Sequence, residues 1–578
     1  MKLQIADLIR DIVKKEYNID MEKVSLQDSP KNQFWDVSFN CWVLARDLKK
    51  SPIVIAEELN TLLQGNPLFE GIQLAGAYIN FKLDNSIYTK QFRELLGQGE
   101  IKKKDKTIVI DYIWANVGKP LHIGHMCTPN QWQVLVNLYK KLWYDVIADS
   151  HIGDWGIIFG KLIVAYKLWW DEEKLKQDAV EHLLELYIKA TSEAEENTSL
   201  DDEFRSAFKS LSEGDSDSVK LWSQFTSYSI STMLVQLERL NIEYDYDIGE
   251  SFYEWLDIPK MGGFPDLGNN KMHIIVKDLI NKNIATRNED NSVGVVFDDE
   301  SKLPSCILQK RDGTHGYFAS DLASIRYRMS NWNPEKIIYC TDVRQQLHFK
   351  QAFYIWRKAG WVWDETELFH AYNWFISLKD GAMSTRKGKI IRLGDLLDES
   401  EKRARELILT KRDDLSEDEL QRLSEIIWIG AIKYGYLKKS RETDIIFDWD
   451  EFMTFEWNSG PYIQYAYVRA NNILQKYNGE VRLSQDVNFS QTEEIELIKW
   501  LLDYNNILEK VAEKNMPHIL CSYIYDLTKK FSSFYNNVHI LNEQDEQVKQ
   551  ARLQLIMKFR ETIKDWLDIL AIEVPEKM

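Results

Sequence analysis

The stretch GKPLHIGHM, residues 118–126, places His122 and His125 three residues apart, with Gly124 between them and Lys119 just ahead. In a helical turn, positions i and i+3 share a face, so the two imidazoles would project together. Backbone N–H groups at a helix start lack partners and carry the positive end of the helix dipole, which favours an anion. Gly124 has no side chain, so a flat group can approach the main chain there. These features together make a phosphate site. The short motif alone fits two incidental surface histidines equally well, so its surroundings must carry the weight.

The elements around it are those of a nucleotide-binding sheet. TIVIDYI (107–113) is a β-branched run that reads as a buried strand. A loop over 114–120 follows, and Pro120 suits the first position of a helix running to about Trp143. YDVIADS (144–150) reads as a second strand, which closes a βαβ unit. The histidines thus follow a parallel strand, where α/β sheets bind nucleotides. His151 and Asp154, in HIGDWG, come directly after the second strand and so reach the same end of the sheet. Asp154 also suits a helix N-cap, and Trp155 suits core packing as well as a substrate contact.

Further along, about 160–245 shows helical apolar spacing and reads as a helical insertion. ESFYEW (250–255) returns toward the core, DLASIRYRM (321–329) reads as a helix and EKIIYCTD (335–342) as a strand. From about 396 the pattern is almost wholly helical. At the other end, Leu3, Ile5, Leu8, Ile9, Ile12 and Val13 form one stripe of an amphipathic helix, and AGAYINFKL (75–83) alternates as a strand. The run IKKKDK at 101–106 marks a boundary. We expect a small α+β module at 1–100, an α/β core at 101–395 with the insertion, a helical connector at 396–455 and an all-α domain at 456–578.

Bulk composition sets limits. A chain of 578 residues exceeds one hydrophobic core. The net charge of −18 argues against non-specific nucleic-acid binding, though not against one basic face. Cys41, Cys127, Cys306, Cys340 and Cys521 are far apart and odd in number, which points to reduced, buried thiols in a cytosol and to no structural zinc. No stretch of about 18 apolar residues and no signal-peptide pattern occurs, so a cytoplasmic protein without a membrane span is expected.

The longer run DYIWANVGKPLHIGHMCTPNQW resembles the HIGH signature of class I aminoacyl-tRNA synthetases, in the form used by arginyl-tRNA synthetases. HIGDWGIIFGKLI, GESFY, DGTHGYFASDLASIRYR, VRQQLHFKQAF and SGPYIQYAYVRANNI resemble that family's blocks in its order, the last opening its anticodon-binding domain. The N-terminal module ending in AYINFKL and the terminal EVPEKM are similar as well. The resemblance implies a Rossmann-type catalytic domain, an all-α anticodon-binding domain and arginine–tRNA ligation through an adenylate. ATP with Mg2+, L-arginine and tRNA(Arg) are then the substrates, and a monomer is expected.

Residue roles follow from the same resemblance. His122, His125 and Gly124 would bind ATP, with Lys119 beside them. Asp111, Asn116, His151, Asp154, Tyr317, Asp321 and Gln345 would bind arginine, with Tyr317 and Asp321 on the guanidinium side. Asp111 stands where the family more often has glutamate. A guanidinium is planar with five donors, so such a pocket needs carboxylates and neutral acceptors in fixed geometry. The second ATP element, GAMSTRKGK (381–389), departs from the KMSKS pattern, with Ala382 and Thr385 where lysines would stand. Met383, Ser384, Arg386 and Lys387 would still meet ATP, and Lys119 fits the role of compensating cation. Tyr462 and Arg469 are candidates for RNA contact, with Tyr465 and Tyr467 nearby; 462, 465 and 469 share helical spacing, which fits core packing too. Two other readings stay open: another class I ligase, such as a cysteine enzyme, and a non-catalytic tRNA-binding paralogue.

Overall fold

A computed structural model describes the chain except for residues 1, 20–23, 29–34, 98–102, 113–114, 255–266, 379–390, 455 and 483–486. It divides into two compact units, one built from Met1–Gly99, Leu474–Tyr504 and Lys529–Phe559, the other from Glu100–Ile473, Asn505–Thr528 and Arg560–Met578.

The larger unit is built on a five-stranded sheet, all parallel, in the order Glu367–His370, Lys336–Tyr339, Thr107–Tyr112, Asp145–Ser150, Tyr246–Asp247. The strand Thr107–Tyr112 lies at the centre, and the chain winds outward from it first on one side and then on the other. A crevice therefore opens at its carboxyl end, the topological switch point where such sheets bind ligands. Register sets one row across that end: His370, Tyr339, Asp111, Asp149 and Tyr246 are successive cross-strand partners. Burial on both faces explains the β-branched sequence of the central strand. The helix Cys127–Lys141 covers it, and Trp132 stacks on Tyr112 while its indole N–H donates to the Ile110 carbonyl at 3.0 Å. The insertion is helical, from Ile157–Trp169 to Ser216–Arg239, around a core of Ala165, Leu186, Ala190, Leu200 and Phe204.

The smaller unit carries a four-stranded antiparallel sheet with Tyr78–Leu83 between Val37–Asn40 and Phe69–Ala75. Ile79, Phe81 and Leu83 face its core, as the alternation predicts. Ile5, Ile9 and Val13 of the first helix are buried with them.

Several expectations need correction. The helix expected from Pro120 to Trp143 begins at Cys127 and ends at Lys141, because residues 123–125 form a tighter 3-10 turn first. A three-stranded antiparallel sheet, Thr286–Arg287, Val293–Val295 and Cys306–Gln309, was not expected at all; its strands are too short to show alternation. Among the described residues beyond 396 there is one strand, Ile445–Phe447, parallel to Ile376–Leu378. Cys41, Cys340 and Cys521 are buried, but Cys127 and Cys306 are only partly so.

Candidate active site

The histidine pair brackets the 3-10 turn Ile123–His125, with His122 as its N-cap and His125 as its last residue, beyond the carboxyl end of the central strand. A 3-10 turn brings i and i+3 over one another, and the imidazoles lie close, with centroids 4.0 Å apart and planes tilted by 45°. The expected free N–H groups are not free. The Gly124 N–H donates to His122 Nδ1 and the His122 N–H donates to His125 Nδ1, both at 3.0 Å. The Ile123 N–H donates to the Ile391 carbonyl and the Leu393 N–H to the Leu121 carbonyl, so the chain leaving 379–390 is pinned to this turn. The consequence is chemical. An imidazole whose Nδ1 accepts carries its proton on Nε2 when neutral. Burial, with Arg344 nearby, holds the His122 pKa down, and burial with His122 alongside pushes His125 down to about 3. The turn therefore offers two neutral, oriented Nε2–H donors rather than two charges.

Across the crevice the chemistry is ionic. Arg328, from the helix Tyr317–Trp332, is fully buried and bridges two neighbouring strands. Its Nη1 lies 2.8 Å from Asp111 Oδ2, and its Nε and Nη2 donate to Asp149 Oδ2 at 2.8 and 2.6 Å. Its guanidinium also lies 5.4 Å from the Tyr339 ring. Asp321, four residues into the same helix, is held by two imidazoles: His151 Nε2 at 3.3 Å from one oxygen and His348 Nε2 at 2.7 Å from the other. Burial would raise the Asp321 carboxyl, but His348 and His151 outweigh it and hold it below the usual range. Burial works against the His151 cation too, yet Asp321 and Asp111 overcome it and lift His151 to about 9. Asp149 is pushed up to about 6 by burial, against the pull of Arg328. Glu250, buried next to this set, is pushed up to about 8 by loss of solvent.

Asp111, His151 and Asp321 are thus brought together, but the other expected residues behave differently. Asp154 accepts the Ser251 N–H at 2.8 Å and its hydroxyl at 2.5 Å, so it fixes the turn that carries Glu250. A Cβ on Gly249 would fall 2.6 Å from that carboxylate, which is why glycine stands there. Asn116 pairs with Gly153 by backbone, with its side-chain oxygen 2.7 Å from where a Gly153 Cβ would be. Tyr317 is 59% exposed, its ring 5.4 Å from His348. Gln345 ends the turn Val343–Gln345 and is half-buried. Lys119 places its ammonium 4.3 Å over the Tyr187 ring of the insertion. Trp155 packs edge-on against Phe208 and Trp222, a core role. Met383, Ser384, Arg386 and Lys387, with Ala382 and Thr385, lie outside the described residues.

With this geometry in hand, comparison with known proteins is direct. Residues 91–449 match the family described as tRNA synthetases class I (R), catalytic domain; 463–578 match the DALR anticodon binding domain; 3–83 match the arginyl tRNA synthetase N terminal domain. The arginine–tRNA ligase of Clostridium botulinum is 36% identical over all of both chains. That of Fusobacterium nucleatum is 34% identical over 100% of this chain and 99% of its own. The chain belongs to the arginyl-tRNA synthetase family. Among solved structures, the Thermus thermophilus arginyl-tRNA synthetase shares the fold with a TM-score of 0.78 at 21% identity over all of both chains. The Plasmodium falciparum enzyme does so at 0.80 and 22% identity over 99% of both.

For a member of this family, four residues of the site escaped the sequence reading: Arg328, His348, Glu250 and Arg344. The guanidinium of Arg344 is bidentate on Asp342 at 2.8 and 2.7 Å, and it is the described cation whose field reaches both histidines of the turn. GESFY and VRQQLHF carried signals for Glu250, Arg344 and His348, since charged or polar residues stood in stretches otherwise matched to the family's blocks. In the segment of the anticodon-binding match, the helix Gly460–Tyr477 buries Ile463, Ala466, Ala470 and Ile473, so Tyr462, Tyr465 and Arg469 lie on its outer side, not in the core. Arg469 stacks over Tyr465 at 4.7 Å, and Tyr465 is exposed. Among the described residues, no helix is long and apolar enough to cross a membrane.

Proposed function

We propose that this chain joins L-arginine to tRNA(Arg) in two steps, with MgATP as the energy source. The observation that carries the site assignment is Asp321: a buried carboxylate, held below its usual pKa range, at the switch-point crevice opposite two neutral N–H donors. In the first step an oxygen of the arginine carboxylate attacks the α-phosphorus of ATP, and pyrophosphate leaves. Asp321 and Glu250 receive the guanidinium, and Asn116 and Gln345 orient the α-amino and carboxylate end. Nε2–H of His122 and of His125 donate to phosphate oxygens whose charge grows in the transition state. Positioning does the rest, since no covalent enzyme intermediate is needed. Arg344 and the cations of the 379–390 loop supply further charge, with Lys119, whose ammonium lies over the Tyr187 ring, as a further candidate. Arg328 holds Asp111 and Asp149, so Asp111 acts as a positioning residue.

In the second step a ribose hydroxyl of the terminal adenosine attacks the carbonyl carbon of the mixed anhydride. AMP leaves, and the hydroxyl proton passes to solvent or to the departing phosphate. Residues 456–578, with Tyr462, Tyr465 and Arg469 outward, read the anticodon loop, and 1–100 make a further tRNA contact. The protein works as a monomer in the cytoplasm. Arginine-dependent ATP–pyrophosphate exchange, with and without tRNA(Arg), tests the reading. Exchange in either condition supports it; no exchange with any amino acid in either condition favours the non-catalytic paralogue.

A further inference from the structure

The crevice contains a cation of its own where a cationic substrate must go. His151 is 1% exposed and sits between two carboxylates, Asp321 at 3.3 Å and Asp111 on the central strand. Its backbone N–H donates to the Tyr112 carbonyl at 3.0 Å, which fixes it at the end of the sheet. The groups facing it come from every side. The central strand contributes Asp111, and the helix Tyr317–Trp332 contributes Asp321 and Arg328. The turn at 249–254 contributes Glu250 and the Tyr253 ring, 5.9 Å away, while Asp154 lies on its own loop. The helix Gln346–Lys358 contributes His348, across the shared Asp321. Asp111 is already paired with Arg328 and the far oxygen of Asp321 with His348. The near oxygen of Asp321 is the one that His151 holds.

We infer that His151 is a specificity-determining residue: as an imidazolium it keeps the place of the substrate guanidinium on Asp321, and arginine binding expels its proton to solvent. The inference rests on the reading that Asp321 receives the guanidinium. Two cations sharing one buried carboxylate repel each other, and one of them must lose its charge. A guanidinium cannot be deprotonated in a protein, whereas an imidazolium can. The exchange balances: arginine enters with its charge, His151 returns to neutral imidazole, one proton leaves, and the charge of the pocket is unchanged. A neutral side chain of the same shape cannot drive this exchange, because it brings no cation to replace the one that would be lost. The pocket therefore selects for a permanent positive charge rather than for shape alone.

The test is calorimetric titration of the full chain with L-arginine at about pH 7.5, in buffers of low and high ionisation enthalpy. L-Citrulline, with a neutral ureido group in place of the guanidinium, serves as the reference. We expect arginine to release more than one proton beyond citrulline, one from His151 and a share from Glu250, and its Kd to fall by up to about tenfold per pH unit for each of the two groups between about pH 7 and 8.5. Glu250→Gln should remove the share that Glu250 gives up and leave close to one proton, whereas His151→Gln should lose the His151 proton and keep only the Glu250 share. Arginine binding without excess proton release overturns the inference while leaving the Asp321 reading intact. A release that is unchanged in His151→Gln, or that vanishes in Glu250→Gln, assigns the proton elsewhere and overturns it too. No arginine binding at all overturns the Asp321 reading and this one with it. Should His151→Gln fail to fold, the wild-type pH slope, the citrulline reference and Glu250→Gln still decide.

Discussion

The histidine turn and the carboxylate edge face the same crevice but are preorganised in opposite ways. The turn is made by neighbours in sequence, is neutral, and is held by its own main chain through two Nδ1 acceptors. The edge draws Asp111, Asp149, His151, Glu250, Asp321, Arg328 and His348 from separate elements, and its members hold one another by charge. Polyphosphate brings abundant negative charge and needs directed donors; a guanidinium brings one charge and needs a matched, dry counter-charge. Backbone saturation fixes a tautomer without titration. An ionic network fixes geometry at the cost of depending on every member.

That dependence gives the largest expected effect. Arg328→Met leaves Asp111 and Asp149, direct cross-strand partners, buried without their shared cation. Removing one partner of a buried ion pair costs about 3–5 kcal/mol. We expect a large fall in the melting temperature, smaller at about pH 5.5 than at about pH 8, because protonation relieves the repulsion. Adding Asp111→Asn and Asp149→Asn should restore much of the loss. A melting temperature unchanged by Arg328→Met would show that the edge is not held by charge.

The turn should break differently. His125→Ala removes both the acceptor for the His122 N–H and the Nε2–H donor, and we expect adenylate formation to fall by about 10²–10³-fold, the cost of a lost transition-state donor. His125→Asn keeps an acceptor near the Nδ1 position but not the distal donor. It should restore the melting temperature and not the rate. Recovery of both by Asn would assign His125 to structure alone.

Asp321→Asn keeps the shape and removes the charge, so it should raise the KM for arginine by roughly 10–100-fold, in line with a charged hydrogen bond worth about 1.5–3 kcal/mol, and leave the KM for ATP nearly unchanged. Equal effects on both would merge the two regions. Gly249→Ala drives a methyl against the Asp154 carboxylate and shifts the Glu250 turn. A few-fold rise in the arginine KM alone, by steady-state kinetics, is the expected sign.

The same contrast explains what the sequence made legible. His122, Gly124 and His125 could be read because their function lies in local spacing, and Thr107–Tyr112 because its β-branched run declares a strand buried on both faces. The N–H groups of the turn are already taken because a histidine can cap its own turn, an option that spacing does not reveal. Arg328 carries no local signal in the helix sequence; only the return of the chain to the central strand places it against Asp111. Tyr462 and Arg469 shared helical spacing, but spacing alone does not say which stripe faces in, and here Ile463, Ala466 and Ala470 do.

The smallest expected effect is the near-absence of one, and it separates the regions most sharply. His125 has its pKa pushed down to about 3 and His122 is also lowered, by burial in both cases. A lowered imidazole pKa means the neutral form persists as pH falls through the ordinary histidine range. His125 should thus stay a neutral donor from about pH 5.5 to 8, and the KM for ATP should vary with pH there far less than the KM for arginine. Glu250, raised to about 8, and His151, raised to about 9, both change charge just above neutrality. The arginine KM should therefore fall as pH rises from about 7, while the ATP KM moves far less. Parallel pH profiles for the two substrates would mean that one titrating group governs both sites, and the division between a neutral turn and an ionic edge would fail.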